Sequence, residues 1–185
     1  MEIKNLSKSF GDKEVFKDFS LSIPDFKTTF IMGESGCGKT TLLRIVAGLD
    51  KEFTGEISFC PTRISYVFQE PRLFDALTVR QNLEIIENKS NLSIEELLSI
   101  VELDGEGNSY PSALSGGMKI RLSIARALCY NGDIFLMDEP FSTLDENMKN
   151  RIIPKVFQLL NGKTVLIISH NADEAAKYSD NIINL

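Results

Sequence analysis

Residues 33 to 40 read GESGCGKT, which places Gly33, Gly38, Lys39 and Thr40 at the spacing G-x-x-x-x-G-K-[ST]. That spacing suits phosphate chemistry. Small residues let backbone N–H groups curl around anionic oxygens, and a helix starting directly afterwards points its positive end at the same charge. Glu34, Ser35, Gly36 and Cys37 fill the loop, and Thr41 follows into the helix. Lys39 would set a cation against β- and γ-phosphates, and the Thr40 hydroxyl is a ligand for Mg²⁺. A second cluster lies at IFLMDEP, residues 134 to 140. Asp138 closes an apolar run where α/β sheets bind ligands, and it is suited to hold Mg²⁺ through water. If the strand geometry continues, Glu139 points the other way, leaving one carboxylate for the metal and one for a water molecule. The third candidate is His170, the only histidine in the chain, just after the apolar run TVLIIS. Histidine's near-neutral pKa does not by itself separate a functional group from a plain strand end.

LSGGM, residues 114 to 118, opens a long helical stretch. Ser115 is a good N-cap, and Gly116 and Gly117 allow close approach to the helix start. That makes a second anion site in a chain with one phosphate loop. Two copies placed head to tail about a two-fold axis would let each such site close on the other's nucleotide. An ordinary capping turn is the competing reading.

The elements that must position these groups alternate between strand and helix. EIKNLSKSF, VFKDFSLSI and TTFIM read as strands, the first two separated by the turn-like GDKE, and TTLLRIVAGL reads as a helix ending near Gly48. GEISFC and ISYVFQE read as further strands. TVRQNLEIIEN and SIEELLSIVEL have helical apolar spacing, and DGEGNSYPSA is a loop. DIFLMDEP and TVLIISH suit central strands of a parallel sheet covered on both faces. The helical segment between them carries Pro154, an expected kink or break. The pattern is α/β.

The totals narrow the partners. The chain has 185 residues, 43% apolar and 25% charged, enough for one compact domain. A net charge of −6 argues against nucleic acid or anionic lipid as the main partner. Cys37, Cys60 and Cys129 show neither metal-ligand spacing nor a disulfide framework, so a reducing cytosol is the expected setting. MEIKNLSKSF lacks the pattern of a signal peptide, and no apolar run approaches the roughly eighteen residues that span a bilayer. If the protein serves a membrane process, another chain is expected to do the crossing.

The ordered set of the phosphate loop, Gln69, LSGGM, IFLMDEP, STLD and His170 resembles the ATP-binding-cassette ATPases over nearly the whole chain. The resemblance implies one ATPase domain over residues 1–185. Its P-loop NTPase core would have a mostly parallel sheet, with an N-terminal antiparallel β subdomain and an inserted helical subdomain at about 75–125. It also implies roles. Phe10 would stack on adenine in place of the more usual tyrosine, a core phenylalanine being the alternative. Gln69 would touch Mg²⁺ and the attacking water and join the core to the helical subdomain. Glu139 would polarise that water, and His170 would contact the γ-phosphate. Ser115, Gly116 and Gly117 would face the nucleotide of a second copy. Asp145 would belong to the loop that communicates between the two sites, a plain helix N-cap being its alternative.

The implied activity is Mg-dependent ATP hydrolysis that energises transport through membrane permease subunits, with a separate solute-binding protein in the complex. YVFQEPRLFDALTVRQNL is most similar to the ATPase subunits of importers for nitrate, sulfonate and taurine-like solutes. It departs from them at Asp75–Ala76, where Pro-Trp is frequent. The expected location is the cytoplasmic face of the cell membrane. Leu73, Phe74, Leu77 and Val79 offer apolar surface for a permease helix, packing within the helical subdomain being the alternative. A soluble cassette ATPase acting on ribosomes or DNA repair is the second reading, and an unrelated phosphate-loop kinase or switch the third.

Overall fold

The computed structural model describes residues 1–58 and 63–185. The chain opens with a hairpin of β1 (Glu2–Phe10) and β2 (Lys13–Ser22), joined at Gly11 and Asp12, and β4 (Thr54–Ser58) pairs antiparallel on the free edge of β1. The strand expected to reach Cys60 is described only to Ser58, so Cys60 lies outside the described residues.

The second sheet is parallel. Its order is β5 (Ile64–Val67), β6 (Ile134–Asp138), β7 (Thr164–Ile168), β3 (Thr28–Met32), β8 (Asn181–Asn184). β6 and β7 are buried along their whole length, as near-continuous apolar runs require when both faces are covered. Period two then sorts their side chains between two cores. Phe135, Met137, Val165, Ile167 and Phe30 enter one core, with helices from the second half of the chain. Ile134, Leu136, Leu166, Ile168 and Ile31 enter the other, with α1 (Lys39–Val46) and the antiparallel sheet. The alternation that stabilises the sheet therefore also decides which side of it Asp138 reaches.

The middle of the chain is helical: α2 (Val79–Glu84), α3 (Ile94–Ile100), a 3₁₀ turn at Pro111–Ala113, and α4 (Gly116–Tyr130). α2 and α3 each begin with a capping box, Thr78 with Gln81 and Ser93 with Glu96. α4 packs against α2, α3 and β5, so it links this helical segment to the sheet. α5 (Glu146–Leu160) follows β6, and α6 (Ala172–Tyr178) follows β7.

Four local expectations change. Pro154 neither ends nor splits α5, which runs through it. ISYVFQE is strand only to Val67, and the helix expected from TVRQNLEIIEN stops at Glu84. The strand geometry does not continue through Glu139. β6 ends at Asp138, and Glu139 takes a left-handed backbone, φ 50°.

Candidate functional site

After β3 the chain turns through three positive-φ glycines, Gly33, Gly36 and Gly38. Two of them are demanded by close approach. A Cβ at Gly38 would stand 2.6 Å from Val15 Cγ1 and 2.8 Å from Phe16 Cζ, both on β2. A Cβ at Gly33 would stand 2.6 Å from the Leu185 carbonyl oxygen. The loop is thus clamped between the antiparallel sheet and the parallel one. The first backbone bond of α1 that closes on the loop runs from Leu42 N to Gly38 O, at 2.8 Å. The N–H groups of the preceding turn are the ones a helix start leaves for an anion. Lys39 is buried, and its ammonium donates to the Gly33 and Glu34 carbonyls at 2.8 and 2.7 Å. These are neutral acceptors, which a phosphate oxygen outbids.

Asp138, 2% exposed, lies beside α1 at the end of β6. Burial pushes its carboxyl above the ordinary range. The Thr40 hydroxyl, hydrogen-bonded to it, and Lys39 oppose that rise, and Glu139 adds to it. Its Oδ1 is buried without a hydrogen-bond partner among the described residues. The turn at Glu139 holds that residue's N–H on the Ile168 carbonyl at 3.0 Å, and its own carbonyl accepts from the Ser142 hydroxyl at 3.0 Å. These bonds keep a left-handed conformation that costs a residue with a Cβ on the order of 1–2 kcal/mol. His170 Nε2 lies 3.0 Å from Glu139 Oε1. The parallel pairing of β6 with β7 ends at Asp138 and Ile168, and the two groups meet just beyond that last rung.

Phe10, Ser35, Gly36, Gly38, Lys39, Thr40, Thr41, Gln69, Glu139 and His170 line one cleft of about 300 Å³. Thr40, Gln69 and Asp138 line a smaller one of about 160 Å³ beside it, with Arg44 and Tyr66. Gly33, Glu34 and Cys37 belong to the loop but not to the cleft wall. Phe10 is 53% exposed, so it is not a core phenylalanine. Its ring has the Lys8 ammonium over it, 4.6 Å from the centroid. Lys8 is itself buried and paired with Asp50 at 2.8 Å.

Sequence reasoning missed Lys8, Lys13 and Val15. The last two stand on one face of β2 and line the cleft. Their signal was the two-residue turn after Phe10, which sets β2 opposite it, Phe10 facing Lys13.

Ser115, Gly116, Gly117 and Asp145 do not enter either cleft. Ser115 caps α4, accepting from Met118 N at 3.3 Å, and Asp145 caps α5, accepting from Met148 N at 2.9 Å. A Cβ at Gly116 would meet nothing within 4 Å among the described residues, so their packing does not require a glycine there. On the apolar segment, Val79 is buried and no longer a surface candidate, whereas Phe74 is exposed with the Arg126 guanidinium 5.0 Å from its ring centroid. A groove of about 540 Å³, lined by Tyr66, Phe68, Arg72, Ile85 and Arg126 among others, runs between β5 and α4. No helix among the described residues is long and apolar enough to cross a membrane.

A family model described as ABC transporter matches residues 16–142. The sulfate/thiosulfate import ATP-binding protein CysA of Synechocystis is 38% identical over 98% of this chain, which spans 56% of that relative's length. The aliphatic sulfonates import ATP-binding protein SsuB 2 of Pseudomonas syringae is 38% identical over 99% of the chain, which spans 81% of it. The dimeric structure of the bacterial ABC transporter cassette MJ0796 superposes with a TM-score of 0.85 at 31% identity, covering 100% of this chain and 93% of that one.

Proposed function

We propose, on the premise that this chain belongs to the ABC transporter family, that it binds and hydrolyses ATP to energise solute import through partner membrane subunits. The observation that carries this reading is the division of the site. The phosphate loop, Phe10, Gln69, Glu139 and His170 share a cleft, while Ser115–Gly117 stands outside it with an unfilled approach at Gly116. A second copy related by a two-fold axis completes the site, its Ser115, Gly116 and Gly117 closing on the nucleotide held here. Asp145 belongs to the loop that communicates between the two sites. The MJ0796 cassette, of the same fold, is dimeric.

Within the cleft the Phe10 ring takes the adenine, and the helix start and Lys39 take the phosphates. The residues present fit Mg²⁺. Asp138 offers an unpartnered buried oxygen, the Thr40 hydroxyl adjoins it, and Gln69 borders both clefts. The ion would supply charge compensation for the phosphates. His170 engages one Glu139 oxygen and leaves the other to accept the proton of the attacking water. His170 then stands next to the terminal phosphate and stabilises the charge that develops there.

The Phe74 segment and the adjoining groove are the surface for a permease helix. The segment at about 75–125 is the helical subdomain, which adjoins this surface. A solute-binding protein completes the import complex, and the chain works at the cytoplasmic face of the membrane.

The test is Glu139→Gln, which preserves shape and removes the base. ATP binding persists, turnover falls by on the order of a hundredfold or more, and the variant accumulates as an ATP-bound dimer by size-exclusion chromatography. Near-normal turnover by the purified variant would overturn the assignment.

A further inference from the structure

His170 is half exposed, and its ring touches only Glu139 among the polar contacts of the described residues. One side of its loop faces the nucleotide cleft. The other faces a groove of about 460 Å³, also walled by Glu139 and His170 and floored by Lys149, Ser169 and Glu174. The loop therefore lies between two cavities, and polar bonds hold it. The Ser169 hydroxyl donates to Glu174 Oε2 at 3.1 Å and accepts from Asn171 N at 3.1 Å. Asn171 Oδ1 accepts from the N–H groups of Asp173 and Glu174 and so caps α6. The remaining carboxylate oxygen of Glu174, a buried residue, meets Lys149 Nζ at 3.0 Å, and Lys149 also reaches Glu146 at 3.1 Å. Lys149 N donates to the Asp145 carbonyl at 2.9 Å, within the first turn of α5.

We infer that Lys149 and Glu174 are positioning residues for His170, forming a charged link from the Asp145 loop to the His170 loop. The inference rests on the reading that His170 faces the terminal phosphate. A buried carboxylate without its cation protonates or moves toward solvent. Glu174 then releases Ser169, and with it the backbone that aims the imidazole. Burial works against the Lys149 charge, but Glu174 and Glu146 outweigh it and hold the ammonium above its ordinary range. Because Lys149 sits one turn after Asp145, movement of the Asp145 loop at a dimer interface is transmitted to the His170 loop through this pair.

The test compares Lys149→Met, Lys149→Arg, Glu174→Gln and the double variant Lys149→Met/Glu174→Gln with His170→Ala, all as purified protein well below their melting temperatures. In Lys149→Met, kcat falls about tenfold while ATP affinity stays within about twofold, and the ring signals of the only histidine move in the NMR spectrum. Lys149→Arg restores the rate. The double variant is less impaired than Lys149→Met, because a glutamine still accepts from Ser169 and no buried charge is left alone. A merely structural role predicts lower melting temperatures, with kcat and the histidine signals unchanged in the folded protein. That result overturns the inference, as does a double variant worse than Lys149→Met. Full activity in His170→Ala overturns both the inference and the reading beneath it. An impaired His170→Ala beside a normal Lys149→Met overturns the inference alone.

Discussion

Asp138 is a carboxylate that the fold tolerates at a cost. It is buried, its Oδ1 has no partner among the described residues, and its protonated form is favoured relative to an unfolded chain. A carboxyl whose folded pKa is raised detracts from stability when it is ionised, and the penalty fades as pH falls through that raised value. Asp138→Asn keeps the shape and removes the charge. The free protein is expected to melt a few degrees higher, since relief of about 1 kcal/mol moves a chain of this size by about 2–4 °C. The extra stabilisation that Mg-ATP gives over ATP alone is expected to shrink in the same melting experiment. A lower melting temperature in the free variant, or an undiminished response to Mg²⁺, contradicts this account. The presence of Asp138 at a strand end was legible in the sequence because apolar runs announce buried strands. The direction of Glu139 was not. Period two speaks only while a strand lasts, and nothing in a glutamate announces a left-handed turn.

Elements with strong caps and clear spacing were legible, and those held by tertiary contacts were less so. α2 ends early, and the loop before it is tied by one polar side chain inside an apolar core. Asn82 is fully buried, donates to the Phe74, Leu77 and Thr78 carbonyls at 3.0 Å each, and accepts from Phe74 N at 3.0 Å. Sequence spacing marks Asn82 as an interruption in a helix face, not as the tie of a loop. Asn82→Ala leaves the Leu77 carbonyl and the Phe74 N–H without this partner, at about 1–3 kcal/mol, while the Phe74 and Thr78 carbonyls keep the N–H groups of Leu77 and of residue 82. Amide exchange over residues 74–78 is expected to quicken and permease association to weaken, with ATP affinity unchanged. Unaltered exchange at Phe74 would show that the loop has other supports. Pro154 is the opposite case. A proline in a helix interior costs about 3 kcal/mol, yet Ile152, Ile153, Val156 and Leu160 of α5 are buried, and that packing outweighs it.

At the scale of the molecule, three carboxylates tie segments distant in sequence. The Lys8 ammonium beside Asp50 holds that carboxyl below the ordinary range. Arg151 does the same for Glu102, and the Thr28 N–H with Lys27 for Asp180. They join β1 to the segment after α1, the turn after α3 to α5, and β3 to the residue before β8. For a carboxyl with a lowered folded pKa, the stabilisation is complete above the unfolded value. It is lost as pH falls from there through the folded value. Thermal melts are expected to hold level down to about pH 5 and then fall steeply below about pH 4. Lys8→Met should blunt the part of that fall due to Asp50, at the cost of a lower plateau. A melting temperature flat from pH 5 to 3 would remove these pairs from the account. The α/β class followed from strands alternating with helices along the chain, and the separate antiparallel sheet was expected from the family resemblance. The order of the parallel sheet followed from neither, because it depends on which crossovers pack.

The pairing of Asp138 with Ile168 fixes where the chain leaves β6 and where it leaves β7, so the offset between Glu139 and His170 is a property of the hydrogen-bond ladder. The helix and turns between them do not set it. Inheritance can therefore treat the two kinds of segment differently. Residues gained or lost in the turn around Gly162 alter only a surface connection, and lineages can drift in length there without disturbing catalysis. A single residue lost from within β7 turns every later side chain of the strand to the opposite core and carries the histidine off its partner. Change of length is thus tolerated where the chain merely returns, and forbidden along the two strands that end at the nucleotide.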